Sequence, residues 1–373
     1  MITLQEVKTK KDLKAFIKFP FKLYKDSKYW VPPIISQEMK TFDKTENPVF
    51  KDAEARLFLA YKNDEIVGRI AAIINWLEVK DQSIKKMRFG WFDFIDDLEV
   101  SNILLEKVND IGKEKNLDYV EGPVGFSNLD KVGVMTEGFE SIAPMVTWYN
   151  HPYYVKHYEA AGFKIEKEYS ESKFPFENVK PEFFKKAQEL IKRRYQLTAL
   201  KFTKTSEVMP YADKMFDLFN DSYASLSSFV AINDVQKEYF KKKFISFVNP
   251  EYIKFVVDKN DKLIGFAIVM PAFSKALQKM NGKLFPFGFR HILHAKKHSK
   301  DVIFYLIGIH PDYQNKGVHA VIFNEYYETF TEKGIQTCFR TPELENNTAI
   351  KQIWKHFYPE VYKRRKTFRK DIG

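Results

Sequence analysis

The stretch that decides the fold is Phe304–His319, FYLIGIHPDYQNKGVH. An apolar strand runs into Pro311, a polar loop follows, and Gly317 opens an amphipathic helix. The start of a helix presents free backbone N–H groups at the positive end of its dipole, which suits a pyrophosphate. Gly317 lets the backbone approach a phosphate closely, and Lys316 adds a mobile positive charge. The alternative interpretation is a plain strand-to-helix turn.

The order of this stretch resembles the CoA-binding motif of the GNAT superfamily of N-acyltransferases, a strand ending in V-x-P followed by Q/R-x-x-G-x-G/A. Gln314 and Gly317 match that motif, and His319 occupies its last position. The resemblance covers residues 197–373 and implies binding of acetyl-CoA or a longer acyl-CoA as co-substrate. The implied contacts are Ile309, Gln314, Asn315, Lys316, Gly317, Val318 and His319.

The same resemblance implies direct acyl transfer to an amine, without a covalent enzyme intermediate. Asn346 or Asn347 would contact the pantetheine arm or cap the next helix. Many family members carry a general-acid Tyr in the penultimate helix, where this sequence has Ile353 and Trp354.

Either other side chains supply the acid and the base, or the domain does no standard transfer. Tyr305 and Tyr358 are the candidate acids, and Glu343 is the candidate base. The alternative for Glu343 is a solvated carboxylate at the end of a strand.

The first half of the chain shows a similar order of elements. Strands are predicted at Leu57–Tyr61, Ile66–Ile74 and Gly90–Asp96, and a helix from Asn102 to Lys115. We therefore predict an α/β (α+β) fold with two tandem GNAT-like domains, each a mixed twisted sheet flanked by helices. The predicted domains are residues 1–174 and 197–373, joined by a helix over 175–196, and Val361–Arg369 is predicted to be the last strand of the second domain.

The first domain lacks the phosphate loop, since Asp97 and Glu99 stand where phosphates would need donors. It has instead a glycine-rich segment from Glu121 to Phe139, typical of a binding loop. The alternative is an Ω-loop that packs the two halves together. The candidate acceptor contacts in and after this segment are Asn128, Asp130, Glu137 and Tyr153.

Composition narrows the class of protein. No apolar run reaches the ~18 residues of a membrane span, and the first residues do not read as a signal peptide. The single cysteine, Cys338, fits a reducing cytoplasm. No metal-ligand spacing is present.

The net charge of the chain is +11, and it is unevenly distributed. Residues 1–175 carry 26 Lys and Arg against 28 Asp and Glu, so the remaining residues carry the whole positive excess. A basic half suits a polyanion or a phosphorylated cofactor.

An insertion, Ser274–Lys300, lies between two strands that a short turn could join. Its apolar residues alternate with Lys, Arg and His. A lid packed on the sheet is the first interpretation; an acyl-chain groove and a contact with a membrane surface are the alternatives.

The leading hypothesis is a bacterial, cytoplasmic acyltransferase that moves an acyl group from acyl-CoA to a small-molecule amine bound between the two domains. A non-catalytic GNAT-derived module that binds acyl-CoA or another ligand is the second. A basic nucleic-acid-binding protein is the third, although nucleic acid is not the expected partner; its affinity would fall steeply with salt.

Overall fold

A computed structural model gives the fold and describes residues 1–226, 229–242 and 248–373. Helices and strands alternate along the chain. The strands are β1 Ile2–Glu6, β2 Ala53–Lys62, β3 Glu65–Asn75, β4 Lys86–Phe94, β5 Tyr119–Gly122, β6 Val134–Glu137, β7 Lys164–Pro175, β8 Thr198–Leu200, β9 Ile253–Val257, β10 Leu263–Pro271, β11 Asp301–Ile309, β12 Thr337–Arg340, β13 Glu343–Leu344 and β14 Glu360–Asp371. The helices are α1 Lys10–Leu23, α2 Ile35–Thr41, α3 Trp76–Asp81, α4 Leu98–Glu114, α5 Tyr154–Ala160, α6 Pro181–Tyr195, α7 Thr205–Val208, α8 Ala212–Tyr223, α9 Asp234–Phe240, α10 Ser274–Met280, α11 Gly288–His298, α12 Val318–Lys333 and α13 Thr348–Trp354.

The described chain divides into two compact units, and neither is one continuous stretch of sequence. Unit 1 consists of Met1–Ser170, Ser274–Ile292 and Tyr362–Gly373, and unit 2 of Glu171–Phe273 and Leu293–Val361. The predicted domains, residues 1–174 and 197–373, were continuous, so the structure differs from them in two segments. Part of the insertion and the final strand belong to unit 1, and the predicted connecting helix is α6 of unit 2.

The sheet of unit 1 has the order β1-β2-β3-β4-β5-β14, with β6 also paired to β14. Only β4 and β5 run parallel; the other described pairs are antiparallel. Phe368 of β14 lies opposite Gly122 of β5. The prediction that Val361–Arg369 completes the second domain was therefore wrong. A strand's own sequence shows that it is extended, but not which neighbour accepts its hydrogen bonds.

Local sequence explains the elements of unit 1. Asn63 and Asp64 both have positive φ, at 49° and 63°, which makes the tight hairpin turn between β2 and β3. Thr9 and Asp12 form a capping box at the start of α1. Alternate residues of the strands face two apolar clusters: Phe58 packs in the one that includes residues of α4, and Leu59 in the one that includes residues of α1.

The sheet of unit 2 has the order β7-β12-β11-β10-β9-β8, and β11 and β12 form its parallel pair. The residues of β7 in this unit, Lys173–Pro175, pair with β12. Helix α6 packs on α12, and an ion pair of 3.2 Å joins Lys192 to Glu325. Helix α9 ends at Phe240, and residues 243–247 lie outside the described chain.

Among the described residues, no helix is long and apolar enough to cross a bilayer. This finding concerns helices of the described ranges alone.

Strand β14 contributes four of the most deeply buried side chains of unit 1. Lys363, Arg365, Thr367 and Phe368 are at most 1% exposed. The Phe368 ring stacks on Tyr158 of α5, with centroids 4.6 Å apart and planes at 3°. The core of unit 1 is therefore completed by a segment that follows the whole of unit 2 in the sequence.

We expect Phe368→Ala to destabilise unit 1 by about 3–5 kcal/mol, because it removes a buried ring from the core cluster. Four of the five tryptophans, at positions 30, 76, 91 and 148, lie in unit 1, so urea unfolding followed by tryptophan fluorescence reports on it. Val361→Ala, at a 45% exposed position of the same strand, should cost less than about 0.5 kcal/mol. Equal effects of the two changes would contradict the assignment of β14 to the core of unit 1.

Candidate functional site

Strand β11 opens away from its parallel neighbour halfway along. It pairs with β10 from Val302 to Ile309, but with β12 only from Asp301 to Phe304. The register on β10 slips at Tyr305, which is the extra residue of a bulge. A bulge bends and twists its strand, so the two strands part beyond this point. Within the described chain, no strand pairs with residues 305–309 on the β12 side.

The predicted phosphate loop follows directly. Ile309 ends β11, and its carbonyl accepts a 3.3 Å hydrogen bond from the Gln314 side chain. Asn315 and Gly317 have positive φ, at 60° and 82°. Helix α12 starts at Val318 with no side-chain cap. No acceptor within the described chain engages the N–H groups of Val318 and His319, so the positive end of this 16-residue helix is available to an anion.

Helix α6 shapes the loop from the side. A Cβ built on Gly317 would lie 3.1 Å from Cδ1 of Ile191, so a side chain there would be crowded as well as strained in φ. The rings of Tyr195 and Tyr313 meet edge to face at 5.8 Å, and the Lys316 ammonium lies 5.9 Å and 5.5 Å from them. Sequence reasoning gave α6 only a connecting role and missed these contacts.

His319 stands in the first turn of α12, half-buried. Burial, helped by the positive charge of His356 and Lys355, lowers the pKa of His319 from 6.5 to about 4. The imidazole is therefore neutral near pH 7. It adds hydrogen-bonding capacity, but no charge, where related loops have a small residue.

The candidate base, Glu343, is committed to an ion pair. Its carboxylate receives both Nε and Nη2 of Arg340, with Nε at 3.1 Å. Arg340 is buried at the end of β12, and its guanidinium lies 4.7 Å from the centre of the Trp354 ring. Burial lowers the pKa of Arg340 to about 9, so it remains protonated at pH 7 and fixes Glu343 as its counter-charge.

The remaining predicted residues of this half differ in exposure. Tyr358 is 67% exposed, with φ at 49°. Tyr305 is half-buried at the bulge. Asn347 caps α13 by accepting from the Ile350 N–H at 3.2 Å, one of the two roles that the resemblance implied. Asn346 is exposed.

Two residues that sequence reasoning gave no role lie near the open end of β11. The Tyr223 hydroxyl of α8 donates to the Ile307 carbonyl at 3.1 Å. Trp354 is 2% exposed and packs on Phe304 at 4.9 Å, yet its indole N–H has no partner within the described chain. In the sequence, Trp354 stands where many family members have the general-acid Tyr. That position was the one indication in the sequence that Trp354 lies near the site.

The equivalent strand of unit 1, β4, is also bulged. Arg69 of β3 lies opposite Asp93, whereas Ala71 lies opposite Gly90, and Trp91 within the slip has φ at 44°. Pairing between β4 and β5 covers only Lys86 to Arg88 on the β4 side. Both units thus contain a bulged strand that leaves its parallel partner.

The helix that follows β4 is closed to phosphates. The Asp97 carboxylate accepts from the Glu99 N–H at 3.0 Å and pairs with Lys62 at 2.8 Å, so it takes up the positive end of α4. Asp96 binds His157 at 2.9 Å, and His157 binds Ser101 at 2.7 Å. Ser101 and His157 are fully buried, so this chain of polar groups packs the start of the helix rather than exposing a nucleophile.

Unit 1 contains a small cavity at the bulge of β4, with room for about one water molecule. Most of its lining is aromatic, and it includes parts of the glycine-rich segment. The lining residues are Trp91, Phe92, Asp93, Pro123, Gly133, Val134, Trp148, Tyr149, Asn150, Tyr154 and Tyr158.

The polar end of this cavity is built around Asp93. Its carboxylate accepts from Arg69 Nε at 2.8 Å, from the Tyr24 hydroxyl at 2.7 Å and from the Tyr154 hydroxyl at 3.2 Å. The Tyr158 hydroxyl also lines the cavity, is fully buried, and has no partner within the described chain. Burial and the charge of Asp93 raise the pKa of Tyr158 well above its usual value, so the group is a neutral hydroxyl.

The four predicted acceptor contacts do not line this cavity. Asp130 accepts from the Ser127 N–H at 2.9 Å, Glu137 pairs with Arg364 at 3.3 Å, and the Tyr153 hydroxyl donates to the Phe94 carbonyl. Asn128 is exposed in the same loop as Asp130. The residues of the glycine-rich segment that do line the cavity are Pro123, Gly133 and Val134.

Each unit contains one parallel strand pair in which one strand is bulged and leads into a helix. The chain has the GNAT fold in two tandem copies. A tandem GNAT protein from the clavulanic acid biosynthesis pathway superposes over 100% of this chain and 99% of its own, with a TM-score of 0.59 and 9% identity. A probable N-acyltransferase from Enterococcus faecalis covers 100% of this chain and 73% of its own, with a TM-score of 0.55 and 7% identity.

Sequence comparison finds more similar relatives. Protein YghO of Escherichia coli is 24% identical over 97% of this chain and 94% of its own length. The bacterial ceramide synthase of Caulobacter vibrioides is 25% identical over 77% of this chain and 74% of its own. No family model matches the sequence.

We expect His319→Gln to reduce the loss of stability in acid. The folded pKa of about 4 lies below the ordinary 6.5, so the unfolded chain takes up the proton first and stability falls as the pH drops from 6.5 to 4. Between pH 7 and pH 5 the wild type should therefore lose about 2 kcal/mol more than the variant, in urea unfolding at each pH. His298→Gln, at an exposed site, should keep the wild-type dependence; a variant as acid-sensitive as the wild type would contradict the assignment.

Removing the unpaired hydroxyl of the cavity should stabilise unit 1. We expect Tyr158→Phe to raise the free energy of unfolding by about 1 kcal/mol, because a buried polar group without a partner carries a desolvation cost. Tyr154→Phe is the matched control, since it gives up bonds to Tyr24 and Asp93 and should cost about 1–3 kcal/mol. If both changes destabilise equally, the Tyr158 hydroxyl has a hydrogen-bond partner in solution.

Proposed function

We propose that the protein is an N-acyltransferase that moves an acyl group from acyl-CoA to an amine. The amine nitrogen bonds to the thioester carbonyl carbon, the carbon–sulfur bond breaks, and CoA leaves as a thiol with the proton that the nitrogen gives up. The GNAT fold is shared with acetyltransferases. The choice of acyl-CoA as the donor rests on the residues of unit 2.

The observation that carries the proposal is the bare start of α12 beside the open edge of β11. The N–H groups of Val318 and His319 are available to a pyrophosphate, and the αL conformation of Gly317 leaves room for it. The parted strands β11 and β12 leave backbone groups that an extended amide-bearing arm such as pantetheine could pair with. Lys316, exposed at the loop, supplies a positive charge.

We further propose that the acceptor amine carries a long alkyl chain. The support is the relative named a bacterial ceramide synthase, because a ceramide is the N-acyl derivative of a long-chain amino alcohol.

The second candidate, a module that binds acyl-CoA without turnover, is favoured by one feature. The side chain at the family's Tyr position is Trp354, which is buried, and Glu343 is held by Arg340. Neither group is placed as a free acid or base. Product formation separates the two candidates.

The test is calorimetric binding of acetyl-CoA and of a long-chain acyl-CoA to variants of the loop. Gly317→Asp should abolish binding, with at least a ~100-fold loss, because it adds a Cβ in a positive-φ position and a charge against the phosphates. Gly334→Ala is the matched control, since Gly334 ends the same helix with φ at 63°. It should cost similar backbone strain but leave the affinity unchanged.

Unchanged affinity in Gly317→Asp would remove the acyl-CoA part of the proposal. Incubation with a long-chain acyl-CoA and a long-chain amino alcohol, followed by mass spectrometry, then tests transfer. Tight binding with no amide product would favour the binding module.

A further inference from the structure

The insertion Ser274–Lys300, here called the basic segment, is the strongly charged surface that acyl transfer does not use. It contains seven Lys and Arg and no Asp or Glu in 27 residues. Its six bases from Lys275 to Lys297 form no ion pair with any described residue. Several neighbouring basic side chains without ion-pair partners favour the binding of an anionic partner outside the chain.

The first part of the segment is fixed within unit 1. Helix α10 buries Ala276, Leu277 and Met280. The Gln278 side chain donates to the carbonyls of Lys28 and Trp30, both at 2.9 Å. The Ser274 hydroxyl donates to the Ala143 carbonyl, also at 2.9 Å. These hydrogen bonds and buried side chains hold the start of the segment against the rest of unit 1.

The second part presents apolar side chains to solvent. Phe285 is 72% exposed and Phe287 is 65% exposed, and no other described phenylalanine is classed as exposed. In α11, Leu293 is 57% exposed while Ile292 is buried. Side chains this open neither line a groove nor cover one, which disfavours the interpretations of the segment as an acyl-chain groove or a closed lid.

Charge and apolar groups are interleaved on the exposed part. Arg290, Leu293, His294 and Lys297 are all exposed and follow helical spacing along one face of α11. The Arg290 guanidinium lies 5.4 Å from the centre of the Phe287 ring. Exposed Phe and Leu beside Lys and Arg are the composition of a segment that lies in the interface of an anionic bilayer.

We propose that the basic segment is a membrane-docking surface that seats Phe285, Phe287 and Leu293 among the lipids of an anionic bilayer. The bases pair with lipid head groups, and the apolar side chains enter the boundary between head groups and acyl chains. The proposal goes beyond the acyl transfer proposed above and does not depend on it. Docking there would bring the protein to a surface where long-chain amines and acyl chains reside.

The test is sedimentation of the full chain with vesicles of phosphatidylcholine alone and of phosphatidylcholine mixed with phosphatidylglycerol. Binding should require the anionic lipid and weaken as salt is added. The double change Phe285→Ser with Phe287→Ser should weaken binding at least ~10-fold. Arg290→Glu with Lys297→Glu should weaken it at least ~25-fold, since each basic residue near such a surface contributes about fivefold.

Matched controls lie elsewhere on the chain. Lys14 and Lys18 are exposed on α1 and form no ion pair with described residues, so Lys14→Glu with Lys18→Glu makes the same charge change. Leu190→Ser removes a 64% exposed side chain of α6. Both controls should bind anionic vesicles as the wild type does.

Equal binding to the two kinds of vesicle, or no effect of the two segment variants, would overturn the proposal. Trypsin cleavage at Lys283, Arg290 and Lys296 gives a second readout: anionic vesicles should suppress it. Protection by acyl-CoA but not by vesicles would identify a lid and overturn docking. Calorimetric binding of acyl-CoA is measured without lipid, so the docking and transfer proposals succeed or fail separately.

Discussion

The pairing of β14 with β5 is the constraint on which the rest of unit 1 depends. It places Phe368 opposite Gly122 and brings the Phe368 ring against Tyr158. The same strand holds β6, because Arg364 lies opposite Glu137, and the glycine-rich segment is thereby tied at both ends. The cavity wall formed by Pro123, Gly133 and Val134 exists only while this strand is in place.

The two units differ at the start of the helix that follows the bulged strand. Both contain a bulged strand that leaves its parallel neighbour and leads into a helix. In unit 2 that helix begins after Gly317 with no side-chain cap. In unit 1, Asp97 supplies the cap, and the negative charge occupies the place that a phosphate would need. The two helices therefore begin differently: one with free backbone N–H groups, the other with a carboxylate that caps them.

Local patterns in the sequence predicted much of this architecture. The strand, loop and helix around Gly317 were expected and observed. The destination of β14 was missed, because partner choice depends on distant residues. Arg340 could not be foreseen as the partner of Glu343, since three residues of separation in the sequence say nothing of a turn that brings guanidinium and carboxylate together. The cavity was missed in detail for the same reason: its rings come from several elements.

Because the final strand belongs to unit 1, it also determines the order in which the two units can fold during synthesis. A ribosome releases domains from the N-terminus onward, and each folds when its own residues are available. Unit 2 has all of its residues once Val361 has emerged, whereas unit 1 must wait for Tyr362–Gly373. During that interval the edge of β5 and the apolar surface around Tyr158 remain uncovered. In the nascent chain, the first domain therefore stays incomplete until after the second has been synthesised. Chaperones have their longest opportunity to bind the uncovered surface of unit 1 during this time.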